Sequence, residues 1–157
     1  MILIAEEGER ALAEQYFPGQ DILVTGVGAL NILRSLRGLP LDTPLINIGY
    51  VGSANYRIGA MVEVGEVRLC HPNVTYKEPS YHLRGGLAEE YHIPVEHKDV
   101  PIFTSVDFVL QSKEHDCVFD MELAFIVGMG FTDVRALKIV SDNLSLHEYH
   151  DLTNGVE

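Results

Sequence analysis

The segment Cys117–Asn143, CVFDMELAFIVGMGFTDVRALKIVSDN, decides how the rest of the chain is read. It predicts a short apolar strand over Cys117 to Phe119, a helix entered through Asp120-Met121-Glu122, a glycine-containing turn, and a second buried strand from Ala136 to Val140 closed by Ser141-Asp142. Glu122 and Asp142 therefore each follow a strand directly. Ligands of open α/β sheets gather outside the carboxyl ends of the strands, so the segment sets two carboxylates where a ligand would be met. The remainder of the chain has to supply the sheet that brings them together.

Toward the N-terminus, Ile2 to Ala5 reads as a short buried strand and Glu6 to Tyr16 as a helix ended by Pro18-Gly19. Asp21 to Thr25 is the next strand, and Gly26-Val27-Gly28 turns it tightly into a helix over Ala29 to Arg37, closed by Gly38. Leu45 to Ile48 is a third strand, followed by Gly49, Gly52 and Ser53. Strands alternating with helices predict one α/β domain over residues 1–157, with a mostly parallel central sheet and helices on both faces. Ala60 to Cys70 alternates apolar and polar residues around Gly65, which predicts one or two half-exposed strands at the sheet margin. His71 to Asp99 holds no sustained period and reads as a long lid, binding loop or interface arm. Val100 to Thr104 resumes a strand, Ser105 to Gln111 reads as a short helix, and the tail opens a helix with Ser145 as N-cap and Glu148 at its third position.

Composition narrows the function classes. A length of 157 residues with 46% hydrophobic content suffices for a single well-covered core. With 23 acidic against 11 basic residues and a formal charge of −12, nucleic acid and anionic membrane surfaces are excluded as partners. The apolar runs are short, and MILIAEEGER has neither a basic region nor a cleavage pattern, so a cytoplasmic protein is expected. Cys70 and Cys117 sit beside apolar strand residues without zinc or redox spacing and read as buried structural thiols. His147-Glu148-x-His150 is not a zinc-binding HExxH, and neither metal nor cofactor is expected. Asn73-Val74-Thr75 matches a glycosylation sequon, which is read as chance.

Met121-Glu122 after one late strand and Ser141-Asp142-Asn143 after the next resemble the purine nucleoside phosphorylase and methylthioadenosine/adenosylhomocysteine nucleosidase superfamily. VTGVGALN (Val24 to Asn31), INIGYVGSAN (Ile46 to Asn55) and TSVDFV (Thr104 to Val109) occur in the order that superfamily shows, so the resemblance spans most of the chain. It implies cleavage of the N-glycosidic bond of a purine nucleoside of the methylthioadenosine or adenosylhomocysteine type, with water as acceptor, by a homo-oligomer.

The resemblance also implies site residues, each of which has a plainer reading beside it. Asp142 would serve the purine N7, as an acid whose pKa is raised by desolvation at a buried strand end; otherwise it is a helix N-cap. Ser141 would orient it. Glu122 would accept two hydrogen bonds from the ribose diol above the soft thioether of Met121, or simply complement a helix dipole. Glu9 would activate water, with Glu7 the choice at an offset of two residues, and a solvated acidic helix start the alternative. Gly26 and Gly28 would let the backbone line the sugar side of the pocket, or only make a sharp turn. Phe108 and Val109 fall where the superfamily stacks on and hydrogen-bonds the base.

The same resemblance has gaps. Phosphorylases bind phosphate with more than one arginine; Arg10 stands near the N-terminus, but Asn47-Ile48-Gly49-Tyr50 supplies no second one, which favours water. The superfamily's Val-Gly-Asp is Ile58-Gly59-Ala60 here, and the segment between TSVDFV and Met-Glu is only LQSKEHDCVFD. These departures leave a phosphorylase and a nucleoside-binding pseudo-enzyme as the alternative readings.

Overall fold

The computed structural model describes residues 1–71 and 74–153; Asn73 of the sequon lies outside them. Eight strands form one sheet: β1 (Ile2–Ile4), β2 (Ile22–Val24), β3 (Leu45–Gly52), β4 (Met61–His71), β5 (Val74–His82), β6 (His97–Thr104), β7 (Val118–Asp120) and β8 (Val134–Asp142). The helices are α1 (Arg10–Tyr16), α2 (Ala29–Leu36), α3 (Leu87–Glu90), α4 (Leu123–Gly128) and α5 (Leu146–Thr153). The strand order is β2-β1-β3-β7-β6-β4-β5, and β8 pairs with both β3 and β4. The run β3–β8–β4–β6–β7 therefore returns to β3, and the sheet is mixed: β1–β2, β1–β3, β3–β8, β4–β6 and β6–β7 are parallel, while β3–β7, β4–β5 and β4–β8 are antiparallel.

Helices cover both faces, because the strands are apolar on both sides. Ile32 and Leu36 of α2 and Leu123, Ala124 and Ile126 of α4 pack on one face with Leu3, Val51, Val62 and Val140. Ala13 of α1, Phe17 and Leu87 and Ala88 of α3 pack on the other with Ile2, Ile4, Ile48 and Leu137. Burial of such side chains contributes roughly 1.5–3 kcal/mol each, which fixes the strands whose ends carry the carboxylates.

Several expectations are corrected. The stretch from Ala60 is not marginal: β4 is one 11-residue strand bonded to β5, β6 and β8. Its polar positions misled the reading because they are accommodated inside, as where the buried Glu63 accepts the Ala88 N–H at 2.7 Å. His71 to Asp99 is not a long loop but contains β5 and α3. β5 is largely exposed on both faces, so it carries no hydrophobic period, and Pro79 is tolerated because β5 is an edge strand. Ser105 to Gln111 is not helical. Glu6 to Tyr16 is not one helix either: a 3₁₀ turn over Glu7–Glu9 precedes α1. That turn brings the Glu9 carboxylate back onto the backbone that begins it.

Candidate active site

One cleft, partly open to solvent, lies where β1, β3, β7 and β8 end. Glu9, Met121, Glu122, Phe108, Ser141 and Asp142 all line it. Gly26, Gly28 and Val109 are not among its lining residues. Val109 instead packs against Cys70, Phe103, Cys117 and Phe119.

Glu9 is held where the chain leaves β1. Its Oε1 accepts the N–H of Ala5 at 2.8 Å and of Glu6 at 3.1 Å, and its Oε2 accepts the Tyr50 N–H at 3.0 Å. Gly49 makes the approach possible, since a Cβ there would stand 2.5 Å from Glu9 Oε2. Burial raises the Glu9 pKa, against the lowering effects of the Lys138 charge and the three backbone N–H groups. Glu7, the alternative by offset, is exposed and paired with Arg10 at 2.8 Å.

Glu122 sits immediately before α4, and its Oε2 accepts the Gly28 N–H at 2.8 Å. Gly28 has φ +86°, a conformation that suits glycine, and in it the N–H meets the Glu122 carboxylate. Gly26 has φ +89°, and a Cβ there would meet the Asn31 side chain at 2.7 Å. The two glycines thus build the turn that positions an N–H on Glu122. Burial, and next the Asp120 charge, push Glu122 up to about 8.

Asp142 ends β8 and is fully buried. Val51 pairs with Val140 and Gly52 with Asp142, so Ser141 is the surplus residue of a β-bulge that re-aims the acid. Asp142 Oδ1 accepts the Leu144 N–H at 2.9 Å and the Ser145 N–H at 3.3 Å, and Oδ2 accepts the Ser141 hydroxyl at 2.7 Å. Its pKa is raised, foremost by burial, with those hydrogen bonds acting against it. The acid is thus both a cap of the following turn and a group in the cleft. Gly52 clears its path, because a Cβ there would lie 2.9 Å from Asp142 Oδ1.

Three further residues belong to the site, and sequence reasoning missed their roles. Asp120 caps α4 through its Oδ2, which accepts the Leu123 N–H at 2.7 Å, while its Oδ1 accepts the Thr104 hydroxyl. Lys138, 2% exposed, stands behind the cleft with its Nζ 3.9 Å from Asp120 Oδ2 and donates to Asn47 Oδ1. Within ALKIV it reads as one polar interruption of an apolar run; a lysine inside a strand buried on both faces was the available signal. Tyr149 of α5 enters the cleft, with its ring edge-on to Phe108 at 5.6 Å and its hydroxyl 3.1 Å from Glu6 Oε2. The tail helix has the expected Ser145 cap, with the Glu148 N–H 3.3 Å from Ser145 Oγ, but Glu148 reaches the Asn143 N–H and not the N-cap's own.

No lysine or arginine lines the cleft, and among the described residues no group of three or more His, Cys, Asp and Glu is placed to hold a metal ion. The Cys70 and Cys117 thiols are buried and pushed up to about 11 and about 12, mainly by burial, which suits inert thiols. No helix among the described residues is long and apolar enough to cross a membrane.

The arrangement defines the class first: a nucleoside phosphorylase-like α/β fold with carboxylates gathered at strand ends. Within that class, solved structures that it resembles include methylthioadenosine/adenosylhomocysteine nucleosidases, and their fold is the fold of this chain. The enzyme of Neisseria meningitidis in complex with methylthio-immucillin-A matches with a TM-score of 0.71 and 15% identity over 94% of this chain and 88% of its own. A variant of the Chlamydia trachomatis protein matches at 0.72 and 15%, over 98% and 86%. A Helicobacter pylori variant with 5′-methylthioadenosine in its active site matches at 0.66 and 16%, over 92% and 85%. No protein-family model matches the sequence, and no curated protein does.

Proposed function

We propose that this protein hydrolyses the N-glycosidic bond of a purine nucleoside of the methylthioadenosine or adenosylhomocysteine type, with water as acceptor. The observation that carries this reading is the convergence of Glu9, Glu122 and Asp142 in one cleft, each delivered by the end of a different strand. The roles follow from their environments. Asp142, with its raised pKa, hydrogen-bonds or protonates the base at N7 so that it leaves as a weaker nucleophile. Glu122 has one oxygen on the Gly28 N–H, which leaves the other to the ribose hydroxyls, with Met121 beneath the sugar and Phe108 beside the base. Glu9 has spare acceptor capacity on Oε2 and orients the water that attacks C1′. As the bond lengthens, positive charge grows on the ribose, and acidic oxygens already fixed by backbone N–H groups face it without having to reorganise.

Water is favoured over phosphate because Arg10 is engaged with Glu7 and no cation lines the cleft. Self-association belongs to the same reading: Leu30 and Leu33 of α2 are 70% and 50% exposed beside an apolar groove that includes Tyr81, Phe125 and Met129. Sedimentation as a monomer at micromolar concentration would count against that part.

The deciding experiment is a nucleoside panel assayed for free base with and without phosphate. Equal release in both supports hydrolysis. Strict phosphate dependence would replace water by phosphate as acceptor, and binding without release would make the protein a nucleoside binder.

A further inference from the structure

The cleft as it stands is too small for the nucleoside it is proposed to bind. Its free volume is about 70 Å³, whereas pockets that take small organic ligands run to about 300–1,000 Å³. Part of the missing space is filled by the chain itself. Tyr149 reaches into the cleft from α5, its ring edge-on to Phe108, the residue assigned to the base, with centroids 5.6 Å apart. Its hydroxyl donates to Glu6 Oε2 at 3.1 Å. The helix that carries this tyrosine is loosely held: none of the residues of α5 is buried. Just before it, Asn143 is fixed to the β3–β4 connection, its Nδ2 donating to the Ser53 and Tyr56 carbonyls at 2.9 Å each. The next residue, Leu144, has φ +67°, a left-handed conformation that is costly for a residue with a side chain. The firm anchoring thus ends at Asn143, and one strained residue joins it to a helix with little to lose on opening.

We propose that α5 is a gate that pivots at Leu144 and is latched shut by Tyr149, an autoinhibitory contact that a nucleoside must wait for before it can enter the cleft. The gate rests on the hydrolase reading only for what passes through it; the tyrosine occupies the cleft whatever the ligand is. The latch is weak by construction, one hydrogen bond to an exposed carboxylate and one ring contact. A ligand that binds only the open form has an apparent affinity scaled by the open fraction. Weakening the latch therefore lowers KM and leaves kcat alone, the opposite of what removing a substrate contact does.

The test measures kcat and KM for 5′-methylthioadenosine in the wild type and Tyr149→Phe, together with hydrogen exchange of the α5 and β8 amides in both. Tyr149→Phe keeps the ring and removes the latch bond, so KM should fall about 2- to 10-fold with kcat unchanged. The α5 amides should exchange about 100-fold or more faster than those of β8, and faster again in the variant. A KM that stays the same or rises in Tyr149→Phe overturns the gate and leaves the hydrolase reading standing. Protection of α5 equal to that of β8 overturns it as well. If neither form releases base, the hydrolase reading fails and exchange decides: faster α5 exchange in Tyr149→Phe supports the gate, and unchanged exchange overturns it.

Discussion

The floor of the cleft and its cover are built on opposite terms. On the floor, Glu9, Asp120, Glu122 and Asp142 are buried at or just past strand ends, each tied to backbone N–H, and Lys138 is buried within β8 behind them. The cover, α5, buries none of its residues and reaches the cleft through the half-buried Tyr149 and its bond to Glu6. Buried polar groups are costly unless satisfied, so the floor is rigid by necessity. A helix with little buried surface opens at small free-energy cost. On the proposed reading, chemistry falls to the rigid floor and the cover contributes only Tyr149 to the cleft.

Changes on the floor test this division most severely. Asp142→Asn keeps the shape and can still accept the Leu144 N–H, but it cannot deliver a proton. Turnover on a purine nucleoside should fall about 10²- to 10⁴-fold with little change in melting temperature; near-full turnover would sink the mechanism. Lys138→Met should act on stability instead. It removes the cation beside Asp120 and leaves buried carboxylates uncompensated, at a cost of roughly 3–5 kcal/mol in denaturant unfolding. An unfolding midpoint like that of the wild type would mean that the cluster needs no counter-charge.

The pH dependence of stability gives a third test. Glu122 has a folded pKa of about 8 against an ordinary 4.5, so between these values the native state holds a proton that the unfolded chain releases. Its contribution to stability is greatest below about 4.5 and declines as pH rises through about 8. Glu122→Gln should flatten that decline, which unfolding midpoints at the two ends of the window would reveal. Gly49→Ala is subtler, because the added methyl meets the Glu9 carboxylate and not the backbone. Activity should drop tenfold or more while stability changes by only about 1–2 kcal/mol, since Glu9 must shift off its N–H donors. On the cover, Tyr149→Phe should cost no more than about 1 kcal/mol. A larger loss would show that α5 is part of the rigid body.

The contrast also explains which features were legible beforehand. Strand ends followed by Glu122 and by Ser141-Asp142 were readable because apolar runs and the residues closing them are local signals. The glycine turn was readable for the same reason, although the partner of its N–H, Glu122, lies 94 residues away. Lys138 and Asp120 were passed over because their pairing joins β7 and β8 in space, and neither flanking sequence announces it. Val109 follows Phe108 and packs on Phe119, which lines the cleft; with Phe108 and Met121 it lines a small cavity that adjoins the cleft, a placement that only tertiary packing settles. β5 gives no strand signal in the sequence because an edge strand exposed on both faces has no core side to impose a period. Tyr149 was hidden in a helix that looks wholly solvated, and by burial nearly is.

The single surplus residue at Ser141 has a consequence for how such a site can change over time. The acid faces the cleft because the backbone on one side of a strand pair is one residue longer than on the other, and side chains alternate faces along a strand. Point substitution cannot move Asp142 to the opposite face, whereas loss of one residue nearby would turn it away and bring its neighbour inward. The position of the acid is thus carried by a count of residues and not by the identity of the side chains around it. That offers a physical route by which a proton-donating geometry could persist while nearly every residue around it is replaced.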